Sequence, residues 1–361
     1  MYLKTKLPNN LIVVSSYMPQ MKSVGLGIWI KTGSRYEKNN VKGIAHFLEH
    51  CVFKGTKNFS ISEIKESIEG VGGSLNGFTS EEFTCYFVKI PAKYLKLSLE
   101  VLSDMVINPT IPVNEVERER GVILEEINMY EDLPSVHVYD LLDKIMWPHH
   151  ALGIPIIGTR ESIIRMTRKE IVNFKEEFYN PSNIIVSASG NLEHQDLVKY
   201  TKDIFGKMKP KKKSVFNRFS KSRYPYIAHT NFLEKDTQQL HLAIGFHALE
   251  REHPVRYALS LVHIILGANM SSRLFQEIRE KKGLAYEIGT QIKKFYDTGA
   301  FIVKAGMDNQ NLEKTVSLIL EELGKIKKNL VSKDEFSRAK EFYKGQLSLA
   351  LEDTLEHMLW V

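Results

Sequence analysis

The sequence predicts an α+β protein of two related domains, in which each domain packs helices against a largely antiparallel sheet. The first observation is length, since 361 residues exceed the roughly 250–300 at which a single core usually divides. The second is that strand-like runs and helical runs are intermixed along the chain rather than segregated. The third is that the order of elements in the first part partly recurs in the second, as expected of a diverged internal repeat.

The first part of the chain begins with strands and then alternates helices with strands. Apolar runs bounded by turn residues predict strands, and apolar residues recurring every three or four positions predict helices. We expect Leu11–Ser15 and Val24–Ile30 to be paired antiparallel strands. Further strands are predicted over Ser74–Thr79, Thr84–Ile90 and Asn183–Ser189. Helices are predicted over Gly43–Phe53, Ser60–Gly70, Tyr94–Ile107, Val113–Trp147 with a break near Pro134, Arg160–Tyr179 and Leu192–Lys207.

A lysine-rich stretch with one proline, Lys207–Lys213, separates the two parts. Such a run is more typical of a solvated linker than of a nucleic-acid site, so we place the boundary there, with domains over residues 1–210 and 211–361. Strands are predicted beyond it over Gln239–Phe246, Ala285–Lys293 and Ala300–Gly306. Helices are predicted over Val255–Leu266, Ser271–Lys282, Asn311–Lys328 and Leu349–Val361.

Composition excludes several classes of protein. Hydrophobic residues make up 43% and charged residues 25%, as in ordinary globular proteins. No apolar run is long enough to span a membrane and no secretory signal begins the chain, so we expect a cytoplasmic protein without a membrane partner. The net charge of +6 is spread evenly, which argues against a nucleic-acid partner. The two cysteines, Cys51 and Cys85, are expected to be buried thiols.

The helix predicted over Gly43–Phe53 carries the residues with the clearest chemistry. His46, Glu49 and His50 are spaced by three and four positions and therefore share one face. Two imidazoles at this spacing offer two ligands to zinc, and Glu49 between them is placed to take a proton from water. The alternative is a solvated polar face of an amphipathic helix. The opposite face is apolar and predicts attachment to the core through Ile44, Phe47, Leu48 and Cys51.

A catalytic zinc site needs a third protein ligand. On the helix that follows Val113, Glu119 and Glu126 lie on one stripe with Ile123, Ile127 and Tyr130. A carboxylate in such a stripe requires a cation or a hydrogen-bond donor, so Glu126 is the candidate third ligand and Glu119 the candidate partner of a histidine ligand. The alternative is a helix with two glutamates in salt bridges.

The order His-x-x-Glu-His at residues 46–50 resembles that of the inverted zincins. The chain is similar to the pitrilysin and insulinase family, and especially to its short branch that includes mitochondrial processing peptidase. That resemblance implies that Glu126, which ends the run Val122–Glu126, is the third metal ligand and that Glu119 is the outer glutamate. The similarity spans nearly the whole chain through the segments Gly72–Thr79, Pro155–Arg160, Tyr179–Ile184 and Ser272–Tyr286.

The resemblance also implies residues that bind the substrate. Active relatives hold an extended peptide along a sheet edge, here near Asn76 and Gly77, and contact it with an arginine and a tyrosine that match Arg279 and Tyr286. Without the resemblance, Arg279 could simply complement a helix end and Tyr286 could be a packed strand residue. Because the halves of family members are alike in size, we also expect the second domain to lack a C-terminal helix and strand.

These observations predict a zinc endopeptidase with one Zn²⁺ per chain bound by His46, His50 and Glu126, and with Glu49 as the base. Its substrate is an extended, unstructured peptide. A homodimer is the simplest expectation, and a heterodimer with a related subunit is the alternative. The competing function is that of a structural or recognition subunit of the same family, against which the intact motif argues. Ligand type favours zinc without forbidding manganese or cobalt.

Overall fold

The computed structural model describes residues 2–212, 215–220 and 228–360, and it confirms an α+β fold. The chain forms two compact units. The first unit comprises Met1–Ile127, Ile154–Asn217 and Leu349–Val361, and the second comprises Asn128–Gly153 and Arg218–Ser348. The chain passes from the first unit to the second near residue 217, close to the boundary predicted at 210. Two further segments, Asn128–Gly153 and Leu349–Val361, also change unit, which the predicted linker did not indicate. The domain limits themselves stay a prediction.

Strands and helices alternate as expected from the sequence. The strands are β1 (Tyr2–Lys6), β2 (Ile12–Tyr17), β3 (Ser23–Ile30), β4 (Ser74–Thr79), β5 (Thr84–Pro91), β6 (Ile184–Gly190), β7 (Leu240–Ala248), β8 (Ala285–Lys294) and β9 (Gly299–Met307). The helices are α1 (Ile44–Val52), α2 (Ile61–Glu69), α3 (Leu95–Ile107), α4 (Val113–Asp132), α5 (Pro134–Met146), α6 (Arg160–Arg165), α7 (Arg168–Phe178), α8 (His194–Phe205), α9 (Arg256–Gly267), α10 (Leu312–Lys328), α11 (Lys333–Ala350) and α12 (Thr354–Trp360). A short π-helix, Phe275–Glu280, lies between α9 and β8.

The first unit is built on a six-stranded sheet in the order β1-β2-β6-β3-β5-β4. The predicted pairing of β2 with β3 is wrong, because β6 lies between them, parallel to β2 and antiparallel to β3. β6 is buried along nearly its whole length, which suits a central strand, and its position far along the chain hides this from local pattern. β1, which we did not predict, pairs with β2 at the edge.

Helix boundaries differ from expectation where polar caps interrupt a continuous pattern. The break predicted near Pro134 is confirmed, since that residue begins α5. The single helix predicted over residues 160–179 is two, because Thr167 forms a capping box with Glu170 and starts α7. The helix predicted over residues 349–361 likewise begins only at Thr354, after Asp353 accepts hydrogen bonds from the N–H groups of residues 355 and 356. Val361 and part of the predicted linker, including Lys213, lie outside the described residues.

The second unit contains a three-stranded antiparallel sheet in the order β7-β9-β8. A cluster of apolar side chains, among them Leu266, Ile278 and Val303, packs between this sheet and its helices. In the first unit, β3, β4 and β5 have the same order, with the second hairpin strand in the middle. The recurrence expected from the sequence therefore extends to sheet topology. α11, a helix we did not predict, follows α10 as α4 follows α3.

Each unit includes one helix that comes from the other half of the chain. α5 follows α4 along the chain, yet it packs on β7, where Gly245 lies against the side chains of Leu142 and Met146. α12 follows α11, yet it packs on β3 and β6, where Gly27 lies against the sulfur of Met358. This reciprocal crossing explains why both units are discontinuous in sequence. No helix among the described residues is long and apolar enough to cross a membrane.

Candidate metal centre

α1 attaches to the core by one face and presents a polar face on the other side, as predicted. Ile44, Phe47, Leu48 and Cys51 are all buried, and the partly exposed side chains are His46, Glu49 and His50. The rings of the two histidines lie with their centroids 4.6 Å apart. The core contacts attach α1 by its apolar face, so both imidazoles project from the opposite side.

Glu126 of α4 meets the two histidines. Its Oε2 atom lies 3.8 Å from Nε2 of His46 and 3.7 Å from Nε2 of His50. One ligand atom from each residue falls within 4.8 Å of the others, the one such group of three found among the described residues. Zinc ligands about 2.0–2.1 Å from a tetrahedral ion stand roughly 3.3 Å apart, so the two distances from Glu126 to the imidazoles exceed that spacing by about 0.5 Å. The tertiary structure thus brings together the predicted ligand set.

The chemistry of these donors suits a divalent cation. Two imidazole nitrogens and one carboxylate oxygen are a usual donor set for catalytic zinc. Burial, with the neighbouring His50 adding to it, lowers the pKa of His46 to about 3. His46 is therefore neutral at pH 7, which is the form that binds a metal ion. Its Nδ1 atom has no hydrogen-bond partner within the described part of the chain.

Glu119 orients the second imidazole. Its Oε2 atom lies 3.0 Å from Nδ1 of His50, and its Oε1 atom accepts from the Lys54 ammonium at 2.7 Å. Burial acts to raise the pKa of Glu119, but the hydrogen bonds from His50 and Lys54 outweigh it and hold that pKa below its ordinary value. A carboxylate on Nδ1 fixes Nε2 of His50 as the atom that faces Glu126. Lys54 is a part of this network that sequence reasoning missed.

Glu49 is held by a residue from the sheet. The hydroxyl of Thr79, the last residue of β4, donates to Oε2 of Glu49 at 2.6 Å. Burial raises the pKa of Glu49, and the Thr79 hydrogen bond opposes that rise. One carboxylate oxygen is engaged and the other remains for chemistry. The sequence analysis placed Thr79 at the end of a strand but assigned it no role. The feature that could have indicated a role is a hydroxyl group at the tip of a hairpin that lies next to α1.

Asn76 and Gly77 lie on β4, the edge strand of the first sheet. They pair with Phe87 and Tyr86 of β5, and the outer side of β4 pairs with no other strand among residues 2–212, 215–220 and 228–360. Asn76 is exposed, and its side-chain oxygen accepts from the N–H of Gly77 at 2.8 Å. The free edge offers backbone groups to an extended peptide.

Arg279 and Tyr286 lie together in the second unit. The guanidinium of Arg279 is 5.4 Å from the ring centroid of Tyr286 and 4.7 Å from that of Phe275. Arg279 belongs to the π-helix, a local widening often found at functional sites. Tyr286 is 74% exposed, so the alternative of a packed strand residue is wrong for its side chain. The structure thus places the predicted pair side by side.

The first unit therefore presents the donor arrangement of the inverted zincins, in which one helix supplies His-x-x-Glu-His. The family model described as "Insulinase (Peptidase family M16)" matches residues 12–160, and "Peptidase M16 inactive domain" matches residues 165–343. The chain belongs to the insulinase family, peptidase family M16. Its assignment to the branch of mitochondrial processing peptidase stays a prediction.

Relatives are similar over most of their length. An uncharacterized zinc protease of Bacillus subtilis is 38% identical, covering 97% of this chain and 84% of that protein. An uncharacterized zinc protease of Streptomyces coelicolor is 35% identical, covering 97% and 77%. A crystal structure of a protease from Helicobacter pylori superposes with a TM-score of 0.90 at 27% identity, covering 99% of this chain and 87% of that one. The chain therefore has the two-domain fold of the family, and its relatives include proteins named as zinc proteases.

Proposed function

We propose that this protein is a zinc endopeptidase that hydrolyses extended, unstructured peptides. The observation that carries the proposal is the meeting of His46, His50 and Glu126 beside the partly exposed carboxylate of Glu49. His46, His50 and Glu126 would hold one Zn²⁺ per chain, and Glu119 would orient His50. A bound zinc ion supplies Lewis acidity, which makes water more acidic and polarises a carbonyl group.

The residues of the chain supply the proton transfers. Glu49 would accept a proton from the attacking water at the oxygen that Thr79 does not bind. The same carboxyl group would then pass that proton to the leaving amine nitrogen, so that it serves first as base and then as acid. A peptide added antiparallel or parallel to the edge of β4, near Asn76 and Gly77, would be bound mainly through its backbone.

The central test compares the wild-type protein with Glu49→Gln. We expect both proteins to bind one zinc per chain, measured by atomic absorption, and the variant to cleave an unstructured peptide about 10²–10⁴-fold more slowly. Equal cleavage rates would exclude Glu49 as the base. Stoichiometric zinc without cleavage by the wild type would instead support the alternative of a structural or recognition subunit.

We further propose that two chains associate and that Arg279 and Tyr286 contact the substrate at the partner's zinc. The exposed ring of Tyr286 and its contact with the partly buried Arg279 support a role in binding rather than in the core. Complementation tests this: Glu49→Gln is mixed with Arg279→Ala, each inactive alone. Sharing between chains predicts recovery of roughly a quarter of wild-type activity, because half of randomly formed dimers hold one intact site. No recovery, with a dimer confirmed by mass, would place both functions within one chain.

A further inference from the structure

The helix that carries both histidines begins without a cap of its own. The residue before α1 is Gly43, whose φ of +87° favours glycine and whose lack of a side chain leaves the first backbone N–H groups without a local acceptor. The carboxylate of Glu37, six residues earlier, accepts instead. Its Oε2 accepts from the N–H of Gly43 at 2.8 Å and its Oε1 from the N–H of Ala45 at 2.9 Å.

Glu37 is itself held firmly in place. Its side chain is buried, and the Lys42 ammonium donates to its backbone oxygen at 3.0 Å. Burial raises the pKa of Glu37 to about 8, while the N–H groups of Ala45 and Gly43 favour the ionised form. Both carboxylate oxygens accept backbone N–H groups, and the positive end of the helix lies against them.

The segment that carries Glu37 is fastened to the hairpin of β4 and β5. The N–H of Arg35 donates to the Glu81 oxygen at 2.9 Å, and its guanidinium forms a buried ion pair with Glu82 at 2.6 Å. The same hairpin carries Thr79, which holds Glu49. The short segment with Arg35 and Glu37 therefore connects the start of α1 to the hairpin that holds Glu49.

This connection affects the metal centre because His46 lies at the start of α1. His46 follows Ala45 directly and lies in the first turn of a helix of only nine residues. The ends of short helices fray when their terminal N–H groups are unsatisfied. Movement of that first turn would displace Nε2 of His46 from Glu126, although the core contacts farther along α1 remained.

We propose that Glu37 is a positioning residue of the metal centre, which fixes the first turn of α1 so that His46 meets Glu126. The inference rests on the proposed zinc function. It assigns to Glu37 an effect on metal affinity beyond its effect on stability.

The test measures zinc affinity by competition with a chromogenic chelator for the wild type, Glu37→Gln and Glu37→Asp. Gln keeps the shape but replaces one of the two accepting oxygens with an amide nitrogen, and Asp keeps the carboxyl group but is too short to reach both N–H groups. We expect each variant to bind zinc about tenfold more weakly, the lower end of the effect of outer partners of metal ligands. Visible spectra of the Co²⁺-loaded proteins should change in band position, because ligand geometry changes.

Ser60→Ala is the matched control, since Ser60 caps the neighbouring helix α2 by accepting from the N–H of Glu63. It should lower the melting temperature and leave zinc affinity and the Co²⁺ spectrum unchanged. Zinc affinities of both Glu37 variants equal to that of the wild type would overturn the inference alone. A wild type that binds no zinc would overturn the proposed function and this inference with it.

Discussion

The two units share a plan but connect its parts by different chemistry. In the first, Glu49 of α1 is bonded to Thr79 of β4, the first strand of the hairpin. In the second, His263 of α9 is bonded to Thr290 of β8, again the first strand of the hairpin, at 2.7 Å. In both units, a threonine on the sheet is therefore hydrogen-bonded to a titratable side chain of the helix that follows β3 or β7. Among the described residues, the group that could hold a metal ion, His46, His50 and Glu126, lies in the first unit.

The long helices α4 and α11 also contact their neighbouring helices, α1 and α9, in different ways. α1 faces α4 with His50 against Glu119 and with both histidines near Glu126. α9 instead packs against α11 through apolar side chains, with Ile264, Ile265 and Ala339 buried together. The polar connection to α11 is an ion pair, between Arg273 and Glu335. One architecture therefore supports either a cluster of possible metal ligands or an apolar interface, depending on a few side chains.

The largest expected effect is loss of metal on changing a ligand in the first unit alone. Glu126→Gln should weaken zinc binding by more than the roughly 100-fold that losing an outer partner costs, because it removes one of three protein ligands. His263→Gln, at the position in the second unit that corresponds to Glu49, should leave zinc content unchanged. Dialysis against zinc followed by atomic absorption measures both. Equal zinc loss in the two variants would remove the distinction drawn between the units.

The next effect concerns the partner of His50. Glu119→Gln should weaken zinc binding about 10–100-fold, since the amide holds the imidazole less well than the carboxylate does. Glu335→Gln on α11 is the control and should not alter zinc affinity. Competition with a chelator gives both values. Unchanged affinity in Glu119→Gln would mean that His50 is oriented by packing alone.

A smaller effect distinguishes how the crossing helices pack on the two sheets. A Cβ at Gly25 would lie 2.5 Å from the backbone oxygen of Thr354 in α12, which cannot move away easily. A Cβ at Gly245 would meet chiefly the flexible end of Met146. Gly25→Ala should therefore cost about 3 kcal/mol of unfolding free energy and Gly245→Ala about 1 kcal/mol.

Urea denaturation measures these two losses, with hydrogen exchange of β3 and β7 locating each of them. Gly245→Ala should cost less in the Met146→Ala background than in the wild type, because the atom that a new Cβ would meet is then absent. Equal costs at the two glycines would show that α12 gives way as readily as a methionine side chain.

The smallest effect is that of the ion pair on α11. Hydrogen bonds from Arg273 outweigh burial and lower the pKa of Glu335 below its ordinary 4.5. The pair therefore contributes its full stabilisation above pH 4.5, and this is lost as the pH falls through the lowered pKa. A double-mutant cycle with Arg273→Ala and Glu335→Ala should give about 1 kcal/mol at pH 7 and less at pH 3. A coupling energy independent of pH would contradict this assignment.

Much of the candidate site was predictable from local sequence. The spacing of His46, Glu49 and His50 places them on one face of any helix, and the stripe that holds Glu126 and Glu119 follows from the same periodicity. The contacts of Thr79 and Lys54 were not predictable in this way. Their bonds to Glu49 and Glu119 join segments whose separation depends on how the hairpin and α4 pack against α1.

The α+β class, the internal repeat and the faces of the helices follow from local sequence, because periodicity and turn residues act within a few positions of the chain. Contacts between distant segments place β6 between β2 and β3, assign α5 and α12 to their units and bring Glu37 to the start of α1. These arrangements depend on which distant surfaces pack together most closely. Such packing involves the whole fold and leaves no periodic pattern in the sequence of any one segment.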